Sequence, residues 1–289
     1  MLACSECTVV YANSKVKRCG RCSALVCQRC LDGSVHVCQP GRIIRIVDLV
    51  AEKTSVEWLV DGLLPNVGWT LFHGVQGYGK TTFALQMCEA LQLGKTFMGR
   101  ETKQTDVLYV NADSPVKEWQ AMCARIAPEC EGWTLVDAPE RALGNPRYVE
   151  AINTLKRRVK PGFIVFDSLY NLCSSPARIN TGDILLDINQ MKAIASGVPW
   201  LLIHHPAKES NRASGHNSLE GNCSNEWSML QTKLAIQKGR LVADKELLLV
   251  RSNETGMWSM KPERALSATV QGDRQSRTEG YNFMNHRLT

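Results

Sequence analysis

No run in these 289 residues approaches the ~18 consecutive apolar side chains that a membrane helix needs. The opening Met1–Cys7 lacks a basic stretch followed by an apolar core, so no secretory leader is read there. The expectation is a chain with no membrane association that works in the cytoplasm, of a host cell if the source is viral. Cysteine is sparse over most of the length: beyond residue 38 only Cys88, Cys123, Cys130, Cys173 and Cys223 remain. Low polarity is not a problem either way. A composition 44% apolar and 21% charged excludes wholesale disorder and suits one or two globular domains. No internal repeat is found.

The other seven of the twelve cysteines crowd into the first 38 residues. With one histidine they form Cys4-x₂-Cys7, Cys19-x₂-Cys22, Cys27-x₂-Cys30 and His36-x-Cys38, four pairs and eight candidate ligands. Without a secretory signal such a cluster reads as metal binding before disulfides. Eight ligands are enough for two tetrahedral Zn²⁺ per chain; one Zn²⁺ with four spare cysteines is the alternative. The short gap between Cys22 and Cys27 favours a cross-brace, with Cys4, Cys7, Cys27 and Cys30 on one ion and Cys19, Cys22, His36 and Cys38 on the other. This spacing resembles the small FYVE, RING and stress-associated fingers. So short a module rarely buries a sufficient core, so metal is expected to supply its folding energy. Residues 1–45 hold seven basic against two acidic side chains, a balance of +5 out of +6 for the chain. Seven thiolates and two Zn²⁺ would lower that to +2. The module therefore fits DNA or a protein partner, for instance one from replication or recombination.

The expected organisation is a zinc module at 1–40 ending in Gln39-Pro40-Gly41, a linker at 41–55, a core at 56–262 and a polar tail at 263–289. Strand-like runs at Trp69–His73, Val107–Asn111, Phe163–Phe166, Pro199–His204 and Glu246–Val250 alternate with helix-length segments at Thr81–Leu93, Val116–Ala127, Pro146–Val159 and Ile184–Ser196. That alternation predicts an α/β fold, a parallel sheet flanked by helices.

Gly74-Val75-Gln76-Gly77-Tyr78-Gly79-Lys80-Thr81 satisfies G-x-x-x-x-G-K-[ST], with an apolar strand before it and a helical segment, from Thr81-Thr82, after it. The glycines let the backbone wrap phosphates, and the helix amides face the anion. Lys80 is assigned to the β/γ-phosphates of ATP and the Thr81 hydroxyl to Mg²⁺. Phe163-Ile164-Val165-Phe166-Asp167 is an apolar strand ending in an acid, the Walker B form, so Asp167 is a second Mg²⁺ residue. The next position is Ser168, where many P-loop ATPases carry a catalytic Glu. The base is then sought at Asp113, which follows the strand Val107–Asn111; a helix cap is its other reading. His204 and His205 leave the strand Trp200–His204. His205 is a candidate γ-phosphate sensor, against the plainer outcome of one packed and one exposed histidine. Arg251 at a strand end is a candidate arginine finger for a neighbouring subunit, or else a surface cation.

In order, the segments WLVDGLLP (58–65), GVQGYGKTT, VLYVNAD, FIVFDS, LLIHHPAK, SGHNSLEG and LLLVRSNETG resemble the RecA-type hexameric ATPases, most of all the plasmid RepA helicase and related ATPases of phages and mobile elements. The likeness covers about 56–260. It implies a RecA-like P-loop NTPase core, with Lys80, Thr81 and Asp167 at Mg²⁺-ATP, Asp113 as water-positioning base, His205 as sensor and Arg251 acting in trans. It also implies a homo-oligomer, a hexameric ring on single-stranded DNA gripped by central loops. Two departures stand out. Asp113 occupies a position usually held by Glu. An acid usual just beyond the Gly-Ser loop is replaced by Asn222 and Asn225. The expected function is a DNA-dependent ATPase, a ring helicase in replication of a phage, plasmid or similar element. The alternatives are a recombination or loading ATPase without unwinding, and a zinc-finger adaptor with an ATP-dependent switch. The absence of an arginine-rich lid argues against a small-molecule kinase.

Overall fold

The computed structural model describes residues 56–127, 129, 133–205, 217–239, 241–242 and 246–261, together with the backbone of four short strands before residue 28. The chain divides into two compact units, 1–55 and 56–289. In the first unit, β1 (Leu2–Ala3) pairs antiparallel with β2 (Val10–Tyr11), and β3 (Val16–Arg18) with β4 (Leu25–Cys27). Cys27 is described as backbone only. The other proposed zinc ligands (Cys4, Cys7, Cys19, Cys22, Cys30, His36 and Cys38) lie outside the described residues, as do 41–55 and 263–289. Among the described residues no group of three or more His, Cys, Asp or Glu could hold a metal ion. None of their helices is long and apolar enough to cross a membrane.

The second unit begins with a small hairpin of β5 (Trp58–Val60) and β6 (Leu64–Pro65). Then follow β7 (Trp69–Gly74), α1 (Lys80–Leu93), β8 (Val107–Asn111), α2 (Val116–Ile126), β9 (Thr134–Asp137), α3 (Pro146–Val159) and β10 (Phe163–Asp167). The chain continues through α4 (Leu169–Leu172), α5 (Pro176–Ile179), α6 (Ile184–Ala195), β11 (Trp200–His204) and α7 (Ser218–Asn222). It closes with β12 (Asn225–Met229), β13 (Lys233–Gly239), β14 (Glu246–Arg251) and β15 (Trp258–Met260). Nine strands form one sheet in the order β15-β14-β13-β12-β7-β11-β10-β8-β9. The six from β12 to β9 are parallel; β13, β14 and β15 are added antiparallel. The expected parallel α/β sheet is thus the centre of a larger mixed one. The difference arises because β12–β15 follow one another through short connections, which only antiparallel pairing accommodates.

The central strands are buried from end to end, as strands covered on both faces must be. Alternate side chains feed two cores. Phe72, Tyr109, Val165 and Ile203 pack with Phe83 and Leu91 of α1 and Trp119 of α2. Leu71, Val110, Phe166 and Leu202 pack with Ile152 of α3 and Ile188 of α6. Trp69 and Trp200, opposite one another at the start of β7 and β11, stack at 4.6 Å and 4°. α3 shows how local sequence sets an element: Asn145 caps it by accepting from the Arg147 amide, Pro146 opens its first turn, and Lys156, Arg157 and Arg158 face the negative end of its dipole. All four functional strand ends (β7, β8, β10 and β11) emerge on one edge of the sheet because they run parallel. Ligands of open α/β sheets bind outside that edge.

Candidate nucleotide site

The loop between β7 and α1 is shaped by contacts that only glycine permits. A Cβ on Gly74 would lie 2.5 Å from the Met229 carbonyl oxygen of β12. Gly79, with φ 79° and ψ 28°, caps α1 in the left-handed region, and a Cβ there would meet Trp258 Nε1 at 2.9 Å. α1 has no side-chain cap and no acid in its first turn, which leaves its leading amides for an anion. Lys80 is only 5% exposed and donates to the carbonyls of Gly74 (2.5 Å) and Val75 (3.2 Å). Burial lowers its pKa, against the raising influence of Asp167 and Asp113. Gln76, Gly77, Gly79, Lys80, Thr81, Thr82, Asp113, Asp167, Ile203, His205 and Arg251 line one cleft of about 180 Å³.

At its floor, Asp167 accepts from Thr81 Oγ1 at 3.1 Å and from the Tyr109 hydroxyl at 2.8 Å, both at Oδ2. Its Oδ1 is buried with no hydrogen-bond partner. A free carboxylate oxygen beside a hydroxyl, at the mouth of a phosphate cradle, is a hard-oxygen donor set that suits Mg²⁺. With ATP bound, Mg²⁺ would be held by Thr81 and Asp167 and would neutralise charge on the phosphates. Burial, and next the negative charge of Asp113, push the Asp167 carboxyl up to about 6. The Tyr109 hydroxyl is pushed well above its ordinary value, first by burial and then by Asp167.

Asp113 does not cap α2: Pro115 stands at that position, with no side-chain cap. Its backbone amide and that of Ser114 instead donate to Asn111 Oδ1, a turn that swings the carboxylate toward β10. There Oδ1 accepts from Ser168 Oγ (3.0 Å) and Asn171 Nδ2 (3.1 Å). Ser168, which stands where a catalytic Glu was sought, thus orients the acid of the neighbouring strand. His205 Nε2 lies 3.9 Å from the same oxygen, at ion-pair range rather than hydrogen-bond distance. His205, and then Ser168, hold Asp113 below the ordinary carboxylate range despite partial burial, so it is an anion near neutral pH. His204 is fully buried while His205 is partly exposed in the cleft. The pair is thus one packed and one open histidine, the plainer outcome, with the open one lining the cleft.

Arg251 takes a place the sequence did not foresee. Its guanidinium donates to the Gly77 carbonyl (3.2 Å) of its own P-loop and to the Gly256 carbonyl (3.0 Å), and lies 5.8 Å from the Trp258 ring centre.

A profile of AAA domains (AAA_25) matches residues 40–211, more than half of the chain. The chain belongs to the AAA domain family. Its core is a RecA-like P-loop ATPase fold, similar to a KaiC-like protein from the hyperthermophilic archaeon Pyrococcus horikoshii. That pair is 16% identical with a TM-score of 0.52, over 71% of this chain and 94% of the other. The flagellar accessory protein FlaH from Methanocaldococcus jannaschii is also similar, at 11% identity and a TM-score of 0.47, over 68% and 89%. At 16% identity the first of these likenesses is one of fold alone. No curated protein matches the chain.

Three residues around the P-loop escaped the sequence. Tyr109 reads there as one more apolar strand residue, yet its hydroxyl reaches Asp167. Glu226, the neighbour of Asn225, is buried on β12, 3.2 Å from His73 Nε2 at the foot of the P-loop. Asn225 instead donates to Thr70 Oγ1. Trp258 donates to the P-loop from β15. An acid within a five-residue buried strand was the available signal for Glu226. Nothing local marked the other two.

Proposed function

We propose that the chain is a DNA-dependent ATPase of the RecA/RepA type, assembling as a ring and acting as a helicase in replication of a phage, plasmid or similar element. The observation that carries the hydrolytic half is the Asp113 carboxylate, kept ionised and aimed by Ser168 and Asn171 into the cleft that holds Lys80, Thr81 and Asp167. A water between Asp113 and the γ-phosphate would be oriented, and its proton accepted, by that carboxylate. Lys80 and the α1 amides would stabilise charge on the phosphate oxygens. His205, within reach of Asp113 and at the exit of β11, would pass the γ-phosphate state to the segment that follows it. The order of the motifs and the basic, cysteine-rich residues 1–45 support DNA as the activator, with two Zn²⁺ folding residues 1–40.

Asp113→Asn should bind ATP within about threefold of the parent but turn it over at least about tenfold more slowly, since only the water's orientation and proton acceptor are lost. Parallel binding and single-turnover measurements check this; equal loss of both would make Asp113 structural.

For the whole reading the test is ATP turnover with and without single-stranded DNA, before and after zinc is stripped and Mg²⁺ restored, beside elemental analysis, light scattering and strand displacement on a forked duplex. Two zinc per chain, a ring mass, DNA stimulation lost with the zinc and unwinding support it. Turnover indifferent to DNA overturns it. One observation favours a second reading, a loading or recombination ATPase that does not unwind: Arg251 rests on its own P-loop rather than standing free for a neighbour's ATP. Stimulation by DNA without strand displacement would select that reading.

A further inference from the structure

The last hairpin of the sheet is tied to the P-loop by side chains the hydrolytic mechanism does not use. Trp258, 4% exposed on β15, donates from Nε1 to the Gly79 carbonyl at 3.1 Å. That carbonyl also accepts the Phe83 amide, the first bond of α1. Gln86, on the next turn of α1, grips the Trp258 backbone at both ends: its Oε1 accepts from the Trp258 amide (2.8 Å) and its Nε2 donates to the Trp258 carbonyl (3.1 Å). A peptide plane is rigid, and its C=O and N–H point in opposite directions. Fixing the Gly79 oxygen toward Trp258 therefore fixes the Lys80 amide away from it, toward the side where an anion binds at the helix start. Glycine in the left-handed region has little intrinsic preference to hold that plane. The tether adds a second restraint to that of the helix bond from Phe83.

We infer that Trp258, held by Gln86, is a positioning residue that presets the phosphate cradle, making the C-terminal hairpin part of the nucleotide site. The inference rests on the ATP reading of the P-loop. It acts on binding of the phosphates and not on the attacking water, so the two kinetic constants separate.

The test uses the full chain with Trp258→Phe, which keeps the ring and removes the N–H, and Gln86→Met, which keeps length and removes both polar ends. Each should raise KM for ATP about fivefold, the equivalent of one neutral hydrogen bond, with kcat within about twofold and little change in melting temperature. The double variant should fall short of the product of the two effects, because both act through one hairpin. An unchanged KM in folded Trp258→Phe overturns the inference. Hydrogen exchange on the unaltered chain serves where a variant does not fold. Adding a Mg²⁺-bound, non-hydrolysable ATP analogue should slow exchange at 257–260 together with 76–83. Slowing at the P-loop alone overturns the tether, whereas no slowing at either overturns the ATP site itself and the tether with it.

Discussion

Lys80→Ala should abolish ATP turnover, by at least about a hundredfold, while the core still melts cooperatively near the parent temperature. A positioned donor at a site of developing charge is typically worth ~3–4 kcal/mol. Lys80 is more than that, as the cation set between the phosphate cradle and two carboxylates. The fold does not lean on it. Its ammonium bonds two loop carbonyls and no core group, its burial already disfavours the charge, and alanine is a better helix former at that position. Steady-state ATPase and thermal melting decide the matter. Turnover near the parent rate in the folded variant would remove the nucleotide site as assigned. The same substitution deprives Asp167 of a neighbouring positive charge, so its proton should be held more firmly than in the parent.

Asp167→Asn should also be inactive, yet more stable than the parent when nucleotide is absent. A carboxyl whose folded-state pKa is raised favours the folded state only while protonated. Here it rises from the ordinary 3.8 to about 6, so the stability it lends is present below about 3.8, falls as pH rises through the interval and is gone above about 6. At pH 7.5 the parent bears the whole cost of a buried charge, about 3 kcal/mol at most. Asparagine keeps an acceptor for Thr81 Oγ1 and the Tyr109 hydroxyl and brings no charge, though its amide must find a partner where Oδ1 has none. A gain of about 1–2 kcal/mol, several degrees of melting temperature, is expected at pH 7.5, shrinking toward zero by about pH 5. Melts of both proteins across that range test it. A variant less stable at pH 7.5, or a difference that does not change with pH, would show that the Asp167 charge is not under strain.

What this sequence determines by itself is whatever contiguous residues encode. Apolar runs of four to six residues bounded by turns marked β7, β8, β10, β11 and β14. Helix-length segments between those runs marked α1, α2, α3 and α6, each within a residue or so of the ends found. The glycine spacing marked the P-loop, because its physics is backbone shape. Asp167, Asp113 and His205 were legible as polar residues at the ends of apolar strands, and parallel strands carry such ends to one edge. Tertiary structure decided what depends on partners far along the chain. Tyr109 meets Asp167 across 58 residues, His73 meets Glu226 across 153 and Trp258 meets Gly79 across 179. Neither residue of such a pair carries a pattern announcing the other. Short, half-exposed strands such as β13 and β15 have little periodicity of their own and become strands through the edge already formed beside them. The same holds for Arg251: its sequence position says only that a cation ends a strand. Pairing of β14 with β13 and β15 lays that cation on the chain's own P-loop, because side-chain reach, not sequence spacing, sets which carbonyl it finds.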